Sequence, residues 1–241
     1  EIKPYSVERI NFDIMKGDST LELSRNDKLN SDNKLFIINP YDAKSNILFI
    51  TNDQRNNLLL DALQSNSQFE VKVTVPPVIP DLEYDLIVVS KIDMNMLLPN
   101  TFKDIKKYKE NGGKVIIASQ DNINSLDFQG LVGFGIGSLT NKGGEICIDF
   151  VNEFTSRISN PRCFTSISKY HNINIADNSS LVFASTEEGI PALIMEENLF
   201  YYGIIDDSSG FKDQINYPLF WDDLINYMLG RENLANFNFK T

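Results

Sequence analysis

The 241-residue sequence predicts an α/β protein: an open sheet with helices on both faces, preceded by a short all-β segment. Three observations carry that prediction. The runs "NILFIT" (46–51), "YDLIVVS" (84–90) and "KVIIAS" (114–119) are short and continuously apolar, as strands buried on both faces of a parallel sheet are. Segments with helical spacing separate them. Before residue 46 the pattern is alternation instead.

The opening segment, residues 1–45, reads as β. "RINFDIM" alternates Ile10, Phe12 and Ile14 with polar neighbours, and "STLELS" does the same with Leu21 and Leu23. Gly17 and Asp18 make the turn between them. "KLFIINP" supplies a third strand that ends at Pro40. Three short strands form a marginal sheet, so they are expected to pack on the rest of the chain or to complete a β-sandwich.

Residues 46–241 form the second predicted domain. After the first apolar run, Asn52 or Asp53 is expected to cap a helix with Leu59, Ala62 and Leu63 on its inner face. "QFEVKVTV" is the next strand. Thr101 is expected to cap "FKDIKKYKENGG", whose apolar face is Phe102, Ile105 and Tyr108, with Gly112 taking the left-handed terminating position. The second half is richer in strands: "GGEICIDFV", "SLVFAST", "IPALIMEE" and "LFYYGIID". "YPLFWDDLINYMLG" closes the domain as a helix with Leu219, Phe220, Leu224, Tyr227 and Met228 as its buried stripe and Gly230 as its stop. Trp221, the single tryptophan, is expected to pack in the core.

Composition narrows the function. The net charge is −11, and the densest basic stretch is Lys103, Lys106, Lys107 and Lys109 on one helix. Nucleic acids and anionic membrane surfaces reward clustered Lys and Arg, so neither is expected as a partner. No apolar stretch reaches the roughly 18–20 residues of a membrane-spanning helix. The chain opens on Glu1 and reads as a piece of something longer.

Several motifs bear on chemistry. "LVGFGIGSL" sets Gly133, Gly135 and Gly137 at alternate positions. A dinucleotide fingerprint needs G-x-G-x-x-G directly after a strand, and a P-loop needs a following G-K-[ST]. Both are missing, so the run is expected to be an irregular, closely packed loop, with no cofactor implied. Cys147 and Cys163 lie in no C-x-x-C pair; two free buried thiols are the first reading, and a disulfide in an oxidising compartment is the second. Neither stands on a glycine-flanked elbow, and His171 in "SKYHNINI" is expected to be exposed, so no nucleophilic triad is assigned. Ser90 occupies the strand end where a phosphate receiver would place its aspartate. In "GIIDDSSGFKD", Asp206, Asp207 and Ser208 follow an apolar strand and are the candidate metal ligands. Gly210 breaks the D-x-S-x-S pattern there, and the run reads first as a capped loop. Asn178-Ser179-Ser180 is a formal glycosylation triplet of the kind an Asn-rich chain holds by chance.

Three longer stretches together resemble a known family. "LNSDNKLFIINPYDAKSNILFITN" resembles the passage from a β-sandwich into an α/β domain in BatA-like membrane proteins that carry a von Willebrand factor A domain. "YDLIVVS…LPNTFKDIKKYKENGGKVIIAS" is similar to their class I glutamine amidotransferase-like domain. "YGIIDDSSGFKDQINYPLFWDDLINYMLG" resembles the motif that closes it ahead of a membrane anchor. The resemblance implies a flavodoxin-like, amidotransferase-type fold without its catalytic apparatus. The chain departs from the family at "MEENLFY", where a Gly-x-Gly turn is usual. The expectation is therefore a non-catalytic scaffold or protein-interaction domain, the soluble C-terminal part of a membrane-anchored protein. The rival readings are an amidotransferase-like hydrolase with unconventional residues and a metal or small-ligand module at Asp206–Ser209.

Overall fold

A computed structural model describes residues 18–22, 34–38, 44–152, 154–175 and 180–231. Two compact units are present, and Ser45–Glu232 forms the larger. The smaller unit holds β1 (Asp18–Glu22) and β2 (Lys34–Ile38), an antiparallel pair with Thr20 opposite Phe36. The expected strand at residues 9–15, the Gly17 turn and the Asn178 triplet lie outside the described residues.

The larger unit is built on one nine-stranded sheet among the described residues. Its parallel half comprises β3 (Ser45–Ile50), β4 (Phe69–Thr74), β5 (Leu86–Val89), β6 (Lys114–Ala118) and β13 (Leu199–Tyr202), in the order β4-β3-β5-β6-β13. The antiparallel half continues through β12 (Pro191–Glu196), β11 (Leu181–Thr186), β8 (Gly144–Ile148) and β9 (Cys163–Ile167). A separate pair, β7 (Gly135–Thr140) with β10 (Tyr170–Asn174), lies outside that sheet.

Side-chain alternation in the parallel strands divides the core in two. Ile47 and Phe49 of β3 face one cluster, with Leu59, Leu60 and Leu63 of α1 (Leu58–Ser65) and Phe220 and Leu224 of α3 (Asn216–Met228). Leu48 and Ile50 face the other, with Phe102 and Ile105 of α2 (Thr101–Glu110). Helices therefore cover both faces. On the α2 side the β7–β10 pair adds to the cover through Ile136 and Ile173.

Local chemistry explains the boundaries. Asn57, rather than Asn52 or Asp53, caps α1, its Oδ1 accepting from the Leu60 N–H at 3.3 Å. Thr101 is the first residue of α2, and Asn100 precedes it as the cap. Gly112 takes φ +92°, and the Gly113 N–H donates to the Tyr108 carbonyl at 3.0 Å, the paired-bond ending that a left-handed glycine permits. Gly230 ends α3 in the same way at φ +67°. The stripe of α3 is rotated from expectation. Tyr217, Phe220, Trp221, Leu224, Ile225 and Met228 are buried, whereas Leu219 is 39% exposed. The helix starts at Asn216, which makes Tyr217 the head of the i, i+3, i+4 series. The β12–β13 hairpin forms without a glycine turn because Glu197 itself adopts φ +54°.

The glycine run is part loop and part strand: residues 131–134 bend, with the Gly133 N–H donating to Glu196 Oε2 at 2.8 Å, as the expected closely packed loop, and the rest is strand. Its Gly135–Thr140 part pairs with β10, and the register shifts between His171 and Ile173. A Cβ on Gly137 would stand 3.0 Å from the Asn172 carbonyl oxygen, so glycine admits the bulge.

Candidate functional site

In an open α/β sheet, ligands bind beyond the carboxyl ends of the parallel strands. Here the loops leaving β3, β5, β6 and β13 enclose a cleft of about 540 Å³ at that end. Asn52 and Asp53 come from the first loop, Ser90, Lys91 and Asp93 from the second, Ser119, Gln120 and Asp121 from the third, and Asp206 and Asp207 from the fourth.

The floor of the cleft is a buried polar lattice. Asn57 is 1% exposed, and its amide donates to Ser90 Oγ at 3.3 Å and to Thr51 Oγ1 at 3.4 Å. The Tyr201 hydroxyl donates to Ser119 Oγ at 3.3 Å, and burial pushes that phenol well above its ordinary pKa. Gln120 acts as a backbone surrogate: its Oε1 accepts from the Ile92 N–H at 2.6 Å and its Nε2 donates to the Ile92 carbonyl at 2.7 Å. The loops after β5 and β6 are thus tied together.

Lys91 is the cation of the cleft. Its backbone sits at φ +49°, a left-handed conformation that is costly for a side chain of this size. Its ammonium donates to the Asn56 carbonyl at 2.6 Å and pairs with Asp207 at 3.2 Å and Asp53 at 3.8 Å. Lys169 pairs with Asp121 as well, so Asp53, Asp121 and Asp207 of the cleft each face a lysine.

The candidate metal ligands diverge. Asp206 turns inward, where the Tyr202 and Tyr217 hydroxyls donate to its two oxygens at 2.8 and 2.5 Å. Burial raises its pKa, opposed by those two hydrogen bonds. Asp207 turns outward to Lys91 and, at 4.0 Å, to Lys212. The Ser208 hydroxyl donates to the Ile205 carbonyl at 2.9 Å. The short 3-10 turn at Asp206–Ser208 has no side-chain cap; Ser208 bonds within it, and Asp206 and Asp207 tie it to the tyrosines and the lysines. Among the described residues no group of three or more His, Cys, Asp or Glu is placed to hold a metal ion.

Two sequence expectations are corrected here. Cys147 and Cys163 are not free thiols; they form a disulfide between β8 and β9. The antiparallel register sets them opposite each other, a proximity that their separation of 16 in sequence conceals. His171 is 2% exposed rather than exposed. Its Nδ1 faces the Gly137 carbonyl at 3.1 Å and its Nε2 the Gln120 carbonyl at 3.0 Å, so it fastens the β7–β10 pair to the loop after β6. Ser119, Gln120 and Lys91 join the site although no sequence motif marks them. Their only signal is position, one or two residues past an apolar run.

A parallel sheet with an antiparallel extension and polar loops gathered over its carboxyl end is the class I glutamine amidotransferase-like architecture. Solved structures of that class superpose on the chain. PurLQS from Thermotoga maritima aligns with TM-score 0.53 at 15% identity, over 77% of this chain and 99% of that one. A glutamine amidotransferase from the same organism aligns with TM-score 0.52 at 9% identity, over 80% and 99%. A putative GMP synthase protein from Thermoplasma acidophilum aligns with TM-score 0.54 at 8% identity, over 77% and 95%. At such identities the likeness concerns the fold alone. No curated protein matches the sequence. The chain belongs to the family described as Domain of unknown function (DUF7408), which matches residues 46–224.

Proposed function

We propose that this domain is a non-catalytic scaffold or protein-interaction module within a larger membrane-anchored protein. One observation carries the reading: the polar side chains at the carboxyl end of the sheet are engaged in bracing the loops. Ser90 and Ser119 accept from Asn57 and Tyr201, Asp206 accepts from two tyrosines, and Lys91 is held by a carbonyl and two carboxylates. Acyl transfer needs a nucleophile within reach of a base, beside free amide donors. Both sulfurs are bonded to each other, and the single imidazole lies between two carbonyls.

The membrane-anchored parent is supported by the resemblance of the closing segment, residues 202–230. No helix among the described residues is long and apolar enough to cross a membrane, so this domain carries no span of that kind there. A disulfide persists where the surroundings are oxidising, which favours the extracytoplasmic side.

Ammonia release from glutamine tests the non-catalytic reading. The expected rate is that of buffer, with or without a thiol reductant. Turnover that vanishes in Ser119→Ala or Cys147→Ser would reject it in favour of a hydrolase.

A further inference from the structure

The nine-stranded sheet has two edges, and the chain treats them differently. At the β9 edge its own backbone closes the ladder. The Gly210 N–H donates to the Ser166 carbonyl at 3.1 Å, the Ser168 N–H to the Ser208 carbonyl at 2.9 Å, and Ile167 bridges Ser209. At the other edge, β4 pairs with β3 on one side, and no described strand takes the other. The Gln68 and Thr74 carbonyls accept from Ser45 and Thr51 on the β3 side. Alternation therefore aims the N–H and C=O groups of Val71 and Val73 outward. Open edges are templates for further pairing unless charge, proline or a bulge blunts them.

The sequence of this edge is self-complementary. Phe69-Glu70-Val71-Lys72-Val73 reads apolar, acidic, apolar, basic, apolar. Antiparallel pairing with a second copy about Val71 sets Val71 opposite Val71 and Phe69 opposite Val73. The same register sets Glu70 opposite Lys72 of the second copy, twice over. Shifting the pairing by two residues in either direction opposes Lys72 to Lys72 or Glu70 to Glu70. Opposite charges directly across a ladder stabilise it, and like charges do the reverse. Glu70 and Lys72 are both exposed; the Lys72 ammonium lies 5.9 Å over the Tyr84 ring, and neither residue forms an ion pair among the described residues.

We infer that β4 is a homodimerisation edge, at which two copies join antiparallel about Val71 to make one continuous sheet. The inference holds whether or not the cleft is catalytic. Outward-facing Val71 donates and accepts across the two-fold axis, and the two Glu70–Lys72 pairs fix the register. A strand of six residues makes a small interface, so the dimer is expected at about 10–100 μM and not at nanomolar concentration.

Sedimentation of the full chain across that range tests the proposal. The wild type is expected to dimerise. Val71→Pro removes an outward N–H that β3 does not use and is expected to sediment as a folded monomer, its fold checked by circular dichroism. Glu70→Lys and Lys72→Glu each oppose like charges and are expected to weaken self-association about tenfold. Mixed together, the two charge variants are expected to form the heterodimer, since each Lys again faces a Glu. A wild type that stays monomeric throughout overturns the proposal. So does a dimer indifferent to both charge reversals, or a mixture of the variants that recovers nothing.

Discussion

Asp206 illustrates how one side chain braces the site from beneath. Its carboxylate accepts from two tyrosine hydroxyls, Tyr202 and Tyr217, that are 0% and 2% exposed. Replacing it with alanine leaves both donors buried without an acceptor, at about 1–3 kcal/mol each. Asp206→Ala is therefore expected to lower the urea midpoint markedly, and Asp206→Asn, which keeps an acceptor, much less. The sign of the pH effect follows from the raised carboxyl pKa. The native state holds this proton more tightly than the unfolded chain does. Its contribution is at its most favourable below the ordinary aspartate pKa and is lost as pH rises through the folded value. Asp206→Asn is expected to remove that share of the slope in a stability–pH titration. An unchanged slope would mean that the carboxyl is as free as in water.

Among the elements, the β12–β13 hairpin leaves no room for a side chain at its open end, where backbone faces backbone. A Cβ on Gly203 would stand 2.6 Å from the Ala192 carbonyl oxygen, the atom to which the Gly203 N–H donates. Gly203→Ala must push the strands apart where the sheet turns from antiparallel to parallel. The expected cost is about 2–3 kcal/mol, read from chemical unfolding. The strands of the parallel half were legible because burial on both faces demands continuous apolar runs, as in Leu86–Val89. The same chemistry hid other features. The cap of α1 had several Asx candidates between 52 and 57, and the choice of Asn57 rests on Ser90, 33 residues away. Strand β7 was obscured by its glycines, whose purpose appears only once Asn172 bulges against them. The disulfide and the burial of His171 needed the strand register, which no local pattern encodes. The cleft was legible only as positions at strand ends.

Across the whole sheet, the two halves are stabilised by different means. The parallel half is sealed by helices on both faces, and Leu48, Leu86, Val115 and Phe200 are all 0% exposed. At the antiparallel end, Ile146, Ile148 and Phe164 share a core cluster with Phe220 and Leu224 of α3, and β8 and β9 are in addition stapled by Cys147–Cys163. Cross-linking two residues separated by 16 in sequence stabilises by about 3 kcal/mol when it restricts the unfolded chain. Reduction should then act locally before it acts globally. Amide hydrogen exchange is expected to speed up in β8 and β9 on adding reductant, while β3, β5 and β6 keep their protection. The cleft, built on the parallel half, should keep its geometry in both redox states. Uniform acceleration across all nine strands would show instead that the sheet opens as a single cooperative unit and that the staple supports the cleft as well.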